Sequence, residues 1–554
     1  MSKEMDKLIL KYALQNAVKY NGKANQGAII GKLIQEDPKV KAKLKELVPK
    51  IKQIIKDVEK LTLEEQKAKL KDIAPELLEK KKKVQQHKIP DLPNAETGKV
   101  VMRLAPYPSG PLHIGNAKPY IMNDELVKKY KGKLLLVMDD TIGSEEKNSA
   151  LEAYKLIPEG LDWLGIKYDK ILYKSDRVEL YYEYAKKLIE KEMAYVCKCD
   201  AETMREYRRN AKVCECRRNT VQKNMDEWEK MFTEYKEGEA VLRIKTGMDH
   251  PNPAFRDRVL FRISDREHPR VGNKYRVWPL LEMSWAVDDH LLNITHILRG
   301  KELMMESMME NFIWDIFNWK KPEIIYSGLL QIKGVKISKS KSKKEVESGE
   351  YVGWDDPRSW SLQSLKRRGI KPEAVRNFIV SLGLNQNEVT VPVENLYSEN
   401  RKLVDKEANR YFFIANPRLV KIKNAPRKKA KLPLHPEDEK RGSRILEAKD
   451  EFFVPEEIQK GKVYRFMHLY NFKNNEYLSE EVNPELKAKM LQWIPKGEEV
   501  KAELFMPDGS IVKGVAEKNI KNVKVDEVVQ FERVGFAKLD KVENNKYYFW
   551  YTHD

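Results

Sequence analysis

Apolar positions change their spacing along this chain, and each change marks a different kind of element. Through the first ninety residues they recur at helical intervals, as in Leu8-Ile-Leu-x-Tyr-Ala-Leu14 and Val48-x-x-Ile-x-x-Ile-Ile-x-x-Val58, which predicts helices with one buried face. Lys80 to Lys83 and a loop holding Pro90 and Pro93 close this region. From about residue 97 short apolar runs at 100–104 and 134–138 alternate with helical patterns at 114–130 and 148–164, and such alternation predicts a parallel sheet. A segment at 197–278 interrupts the alternation, after which runs at 294–298 and 324–329 are expected to supply further strands of the same sheet. Residues 361–370 and 372–379 read as helices with basic faces. Beyond about residue 401 strands take over, at 463–470, 501–505, 528–531 and 546–551, with a turn at Pro507-Asp-Gly-Ser510. No internal repeat or long low-complexity tract interrupts this order.

These shifts divide the 554 residues into six stretches: a helical region 1–95, the first half of a parallel-sheet core 96–200, an inserted domain 201–280, the second half of the core 281–345, a helical region 346–400 and a β-rich region 401–554. The length agrees, since chains of this size split into roughly three to five cores. The first region holds many lysines but no arginine before Arg103, which places a boundary there. Its lysines read as a solvated face rather than a binding site.

Charge alters the picture more than bulk composition does. A formal net charge of +19 and a pI near 9.3 point to a polyanionic partner, because lysine and arginine gain affinity by displacing counterions from phosphates; solubility alone is the weaker alternative. No apolar stretch approaches the roughly 20 residues needed to span a bilayer. The start, Met1-Ser-Lys-Glu-Met-Asp-Lys7, shows no secretory pattern, so a cytoplasmic protein without membrane attachment is expected.

Two strings carry candidate chemistry. Pro108-Ser-Gly-Pro-Leu-His-Ile-Gly-Asn116 sits where the strand at 100–104 turns into a helix. The free N–H groups and dipole of a helix start favour an anion, a glycine there lets a flat base approach the backbone, and His113 can donate to a phosphate oxygen. Lys336-Ile-Ser-Lys-Ser340 follows the strand at 324–329 as a hydrophilic loop, from which Lys339 could meet charge developing on a triphosphate. In a parallel sheet ligands bind at the carboxyl ends of the strands, where both the His113 turn and Asp139 would lie.

All four cysteines fall in Cys197-Lys-Cys199 and Cys214-Glu-Cys216. In a reducing compartment disulfides are disfavoured, and four thiolates on a short hairpin or helix can complete a tetrahedral zinc site; four reduced thiols packed in a small module are the alternative. Arg205, Arg208, Arg209, Lys212, Arg217 and Arg218 are expected to surround the thiols and offset their charge.

The two signature strings, in this order and separation, resemble those of class I aminoacyl-tRNA synthetases. Further strings narrow the likeness to the glutamyl enzymes of archaeal type: Arg103-Leu-Ala-Pro-Tyr-Pro-Ser-Gly-Pro111, Asp139-Asp-Thr141, Val287-Asp-Asp289, Ile294-Thr-His-Ile-Leu-Arg-Gly-Lys-Glu302 and Gly353-Trp-Asp-Asp-Pro-Arg358. The implied fold class is multidomain α/β: a split Rossmann-like catalytic core with an acceptor-end-binding insertion, an N-terminal helical domain, a helical stem-contact region and C-terminal anticodon-binding β-barrels. The implied reaction is ATP-dependent activation of L-glutamate and transfer to the 3′ adenosine of tRNA, with Mg²⁺ on the phosphates and no DNA partner. Catalysis would fall to His113, Gly115, Asn116, Lys336, Ser338, Lys339 and Ser340. ATP would be held by Pro108, Ser109, Gly110, His113, Gly115 and Lys339. The amino acid would meet Arg103, Ala105, Asp139, Leu281 and Arg299, with Asp139 facing the ammonium. In this likeness Arg299 takes the place where glutamyl enzymes read the side-chain carboxylate, and a guanidinium fork suits a carboxylate better than a neutral amide. The resemblance also implies a structural role for zinc, a need for tRNA before activation, and charging of glutamine tRNAs by many archaeal relatives.

Four positions depart from the pattern. Asn116 stands where histidine is usual, Leu281 where many relatives have tyrosine, Val137 where an arginine commonly precedes the Asp-Asp-Thr string, and Ile142 where an aspartate follows it. Pro119 inside the helix would remove a backbone hydrogen bond unless it sat in the first turn. These departures keep two rivals open, a glutaminyl enzyme and a tRNA-binding scaffold without catalysis; a truncated enzyme that glutamylates a tRNA base is disfavoured by the long β-rich end.

Overall fold

The computed structural model describes residues 3–20, 22–36, 40, 44–74, 77, 89–142, 149–335 and 339–554. Its chain falls into two compact units, Met1–Gln86 and His87–Asp554. In the first, helices α1 (Lys3–Lys19), α2 (Gln26–Glu36), α3 (Leu44–Glu59) and α4 (Leu63–Ile73) close over the apolar stripes read from the sequence: Ile9, Ala13, Leu14 and Ala17 meet Leu33, Leu47, Ile51, Ile55 and Val58. Thr62 starts α4 with a reciprocal capping box to Glu65, which satisfies two of the orphan donors of a helix start. The lysines at 80–83 lie outside the described residues.

The second unit opens with β1 (Val101–Leu104), α5 (Ile114–Lys129), β2 (Lys133–Met138), α6 (Ala153–Trp163) and β3 (Lys170–Tyr173). The three strands pair parallel, with Leu104 beside Leu136 and Leu136 beside Ile171. Ile114, Ala117, Ile121, Met122 and Leu126 of α5 bury against Met102, Leu104, Leu134 and Leu136. Pro119 falls in the second turn of α5, so no N–H returns to Gly115; its own carbonyl accepts from the Asn123 side chain at 2.7 Å.

The interruption at 197–278 is a domain of its own. After α7 (Val178–Glu190), β4 (Ala194–Cys197) leads to α8 (Ala201–Arg209), α9 (Val221–Thr233), β5 (Val241–Ile244), β6 (Val259–Ile263) and β7 (Val277–Pro279), and its four strands form one antiparallel sheet. The chain then returns through α10 (Leu281–Leu291), β8 (His296–Gly300), α11 (Met304–Phe317) and β9 (Glu323–Ser327). Here the expectation of one continuous sheet needs correction. β8 and β9 pair parallel with each other and touch β1 only through Thr295, whose N–H donates to the Val101 carbonyl at 2.9 Å while its hydroxyl takes the Val101 N–H. A side-chain oxygen thus occupies the donor that the ladder would have paired.

Next come β10 (Leu330–Lys333), α12 (Lys339–Glu347), α13 (Leu362–Arg367), α14 (Pro372–Leu382), β11 (Val389–Pro392) and α15 (Glu394–Glu407). α15 carries helix past residue 401, and strands resume only with β12 (Asn409–Tyr411) and β13 (Phe413–Ala415). These two are the edges of a seven-stranded sheet. Because only Phe412 separates them, the sheet nearly closes on itself, around Phe413, Leu504, Phe531, Leu539 and Phe549. A second β core packs Phe452, Phe466, Tyr470 and Trp493.

Candidate active site

The turn between β1 and α5 is held by a collar from much later in the chain. Ile114 N–H, the first of the helix, donates to the Trp360 carbonyl, and Leu362 N–H donates to the Leu112 carbonyl. One of the donors expected to face an anion is therefore already used, while the helix dipole and the position of Gly115 remain. His113 is the N-cap, and its N–H donates to Asn116 Oδ1 at 3.2 Å, so asparagine at the fourth signature position steadies the turn. Ser109 N–H donates to the Tyr107 carbonyl, and the Pro108 carbonyl accepts from Ala150. Gly110 lies under the Trp354 indole, where a Cβ would come within 3.0 Å of the ring. Trp354 in turn donates to Glu152 at 2.5 Å. The Gly353–Arg358 string, read from sequence only as a mark of likeness, builds this wall.

Beside the turn, at the carboxyl ends of the parallel strands, lies a buried set of paired charges. Arg103 from β1 forks onto Asp289 of α10, Nε to Oδ1 at 2.5 Å and Nη2 to Oδ2 at 2.8 Å. Asp139, at the end of β2, lies 2.8 Å from the ammonium of Lys174, which follows β3. Both cations sit 3.4 Å from the centroid of the Trp285 ring, and Lys174 also donates to Ser284. Burial pulls the proton affinity of Lys174 down, with Asp139 and Asp288 opposing. Arg103 and Asp139 are thus brought together as expected, yet each faces a partner from this chain. Ala105 follows β1, half-buried, and Leu281 opens α10 without a hydroxyl to offer.

Arg299, the fourth residue of β8, is 6% exposed. Its Nη1 donates to Ser307 at 3.0 Å and lies 2.8 Å from Glu310 Oε2, both on α11. Burial works against the guanidinium charge, but Glu310 more than offsets this and holds it protonated.

The other acidic motif residues are structural. Asp140 accepts from the Ser175 N–H and hydroxyl and from Tyr154; Asp288 accepts from Arg177 and Tyr181. Val137 and Ile142, the two departures beside Asp139, are both buried, and Ile142 packs with Val178 and Trp278. Lys336 and Ser338 lie outside the described residues, while Lys339 and Ser340 open α12.

Lys174, Trp285 and Glu310 escaped the sequence reading. The signal was present for two of them. Lys174 directly follows the apolar run Ile171-Leu-Tyr173, and Glu310 interrupts the buried face of α11 between Ser307 and Trp314. Charged residues at such places are rare unless paired. We expect Lys174→Met to destabilise the protein by about 3 kcal/mol, since it leaves Asp139 buried and unpaired. Urea unfolding checks this, and adding Asp139→Asn should recover most of the loss.

The four cysteine sulfurs converge, all within 4.8 Å of one another, with Cys197 and Cys214 3.9 Å apart. Tetrahedral zinc with bonds of about 2.3 Å needs sulfurs about 3.8 Å apart, so the donor set fits and could hold a metal ion. Cys197 and Cys214 hydrogen-bond to the Cys216 sulfur, which lowers its proton affinity and raises that of Cys197. The flanking cations do not serve as expected. Arg208 donates to the Pro253 and Ala254 carbonyls, Arg217 pairs with Asp257 and Arg218 with Glu215. Their partners are carboxylates and carbonyls rather than thiols.

Comparison with known proteins follows the same outline. Residues 99–406 match the catalytic domain of the family described as tRNA synthetases class I (E and Q), and residues 408–490 and 490–540 match its anti-codon binding domains. The glutamate–tRNA ligase of Pyrococcus furiosus is 45% identical over 580 aligned residues, 99% of this chain and 100% of the relative. That of Methanocaldococcus jannaschii is 43% identical over 560, with the same coverage, and that of Methanobrevibacter smithii 41% over 558.

Proposed function

The chain belongs to the class I tRNA synthetases for glutamate and glutamine, and we propose that it joins L-glutamate to the 3′ end of tRNA at the expense of ATP. The observation that carries the choice of amino acid is Arg299, a buried guanidinium at the carboxyl end of a parallel strand beside Arg103 and the α5 turn. In the first step the α-carboxylate of glutamate attacks the α-phosphate of ATP and pyrophosphate leaves. In the second a ribose hydroxyl of the terminal adenosine attacks the carbonyl of glutamyl-adenylate and AMP leaves. His113 and the α5 dipole meet the phosphates, Gly115 admits the adenine, and Gly110 with Pro108 and Ser109 shapes the wall of that cradle. Lys339, with Lys336, Ser338 and Ser340, neutralises the triphosphate as charge shifts to pyrophosphate. Mg²⁺ would arrive on the phosphates and add positive charge there. No protein nucleophile is needed.

Zinc held by Cys197, Cys199, Cys214 and Cys216 would brace the insertion. We expect Cys197→Ser to lose one bound zinc per chain in elemental analysis and to lower the melting temperature, because metal-binding free energy is folding free energy at such sites. The basic surface and strand-rich C-terminal domains suit tRNA as the partner, and a cytoplasmic setting suits all of this. Among the described residues no helix is long and apolar enough to cross a membrane.

Charging of separate tRNA species with glutamate and with glutamine tests the proposal. Glutamyl ester on glutamate tRNA is the expected product; glutamine transferred in its place would make this a glutaminyl enzyme. One observation favours that second reading: Glu310 already answers the Arg299 charge. If tRNA bound but no ester formed with any amino acid, the chain would be a scaffold.

A further inference from the structure

Glu310 stands out among the buried groups that the proposed mechanism does not use. It is fully buried on α11, and neither carboxylate oxygen has a hydrogen-bond partner among the described residues. Its nearest cation, Arg299 Nη1, is 2.8 Å away but off the N–H direction, since that nitrogen is aimed at Ser307. Arg299 on β8, Asp289 on α10 and Arg103 on β1 are the charged groups that act on it. Tyr326 of β9 pairs in register with Arg299. Glu306, one turn back on its own helix, is drawn with Glu282 to Arg258. Burial, helped by Asp289 and opposed by Arg299, pushes the Glu310 carboxyl up to about 7.

An ionised carboxylate next to a guanidinium offers an incoming group one acceptor and one set of donors. That is the complement of an amide, whose NH₂ donates and whose carbonyl accepts. A protonated Glu310 offers donors only, the complement of a carboxylate. Resting on the reading that Arg299 receives the substrate side chain, we propose that Glu310 sets the choice between acid and amide: protonated, it completes a site for glutamate; ionised, it completes one for glutamine. A glutamate that binds the ionised form must bring a proton in from solvent, because two buried carboxylates cannot share one guanidinium without cost.

The test measures kcat/KM for glutamate and for glutamine in tRNA charging from pH 6 to 8.5, in the full-length wild type, in Glu310→Gln and in Arg299→Cys. The ratio of the two constants cancels pH effects common to both amino acids. In the wild type the preference for glutamate should fall about tenfold per pH unit, following the protonated-to-ionised ratio of one carboxyl. In Glu310→Gln the ratio should be flat with pH. A slope unchanged by Glu310→Gln overturns the proposal. If Arg299→Cys left the ratio unchanged at every pH, the reading of Arg299 itself would fall, and the proposal with it. Calorimetry on the wild type with tRNA present removes any dependence on a variant folding: glutamate binding in buffers of different ionisation enthalpy should show uptake of about half a proton at pH 7, rising toward one by pH 8. No uptake at either pH overturns the proposal.

Discussion

Arg299→Cys is expected to lower kcat/KM for glutamate by about 10³-fold while changing that for glutamine by tenfold or less. The estimate starts from burial. Removing one partner of a desolvated charge pair costs about 3–5 kcal/mol, and each 1.4 kcal/mol is tenfold in rate. A glutamate carboxylate placed against the shorter, uncharged side chain of the variant would have no guanidinium to face and would share its pocket with Glu310, the anion that now answers Arg299. Glutamine brings no charge and escapes that repulsion. The expected loss therefore lies in discrimination more than in turnover, the pattern of a site whose polar groups are matched to one substrate and left unpaired by its analogue. Charging assays at matched enzyme concentration measure both constants. A protein that kept its full preference for glutamate would show that the carboxylate is read elsewhere, Arg103 being the next candidate. A melting curve separates this from unfolding, since Ser307 and Glu310 also lose a partner.

Much of this arrangement was legible from spacing. The switch from helical periodicity to short apolar runs located the parallel sheet, and the strand-to-helix junction at His113 followed from it, because a glycine-bearing turn after an apolar run has few other uses. The cysteine pairs also converged, as four thiols close in sequence at either side of a short helix can hardly avoid doing. What spacing could not show was which charges answer one another. Arg103 and Asp289 are separated by 186 positions and Arg299 is reached from another element altogether, so pairing depended on how β1, β8, α10 and α11 come together. Motif reading assigned Arg103 and Asp139 to a ligand and left the chain's own countercharges, Asp289 and Lys174, out of account. The same limit explains the flanking arginines of the cysteine cluster. Proximity in sequence put them near the thiols, but nearby carbonyls and Asp257 offered better-aligned acceptors. Nor could apolar runs tell one sheet from two, since the break between β1 and β8 rests on a single threonine hydroxyl.

The pairing also bears on the departures. An arginine is lacking at Val137, yet a cation is supplied from the neighbouring strand: Lys174 lies just past Tyr173, which pairs in register with Met138. A buried ammonium over an indole, neutralised by Asp139, keeps this floor balanced without the missing guanidinium. The loss of polarity at Val137 and Ile142 thus removes charge from one strand while the adjacent one restores it.

Lys339→Ala is expected to slow adenylate formation by about 10²- to 10³-fold while the Kd for glutamate changes less than threefold. The split follows from where charge moves. Glutamate binding engages β1, β8 and α10, whereas displacement of pyrophosphate shifts negative charge onto the leaving phosphates, and a preorganised cation aimed at developing charge supplies about 3–4 kcal/mol in such steps. Lys339 opens α12, on the segment that follows β10, so its ammonium is placed to act on the triphosphate rather than on the amino acid. A single-turnover measurement with tRNA present isolates the chemical step from product release. Lys339→Arg should recover part of the rate by restoring charge with a different reach, which a merely structural lysine at a helix start would not require. An adenylation rate equal to wild type in the alanine variant would remove Lys339 from the reaction and leave the triphosphate to His113 and the α5 dipole.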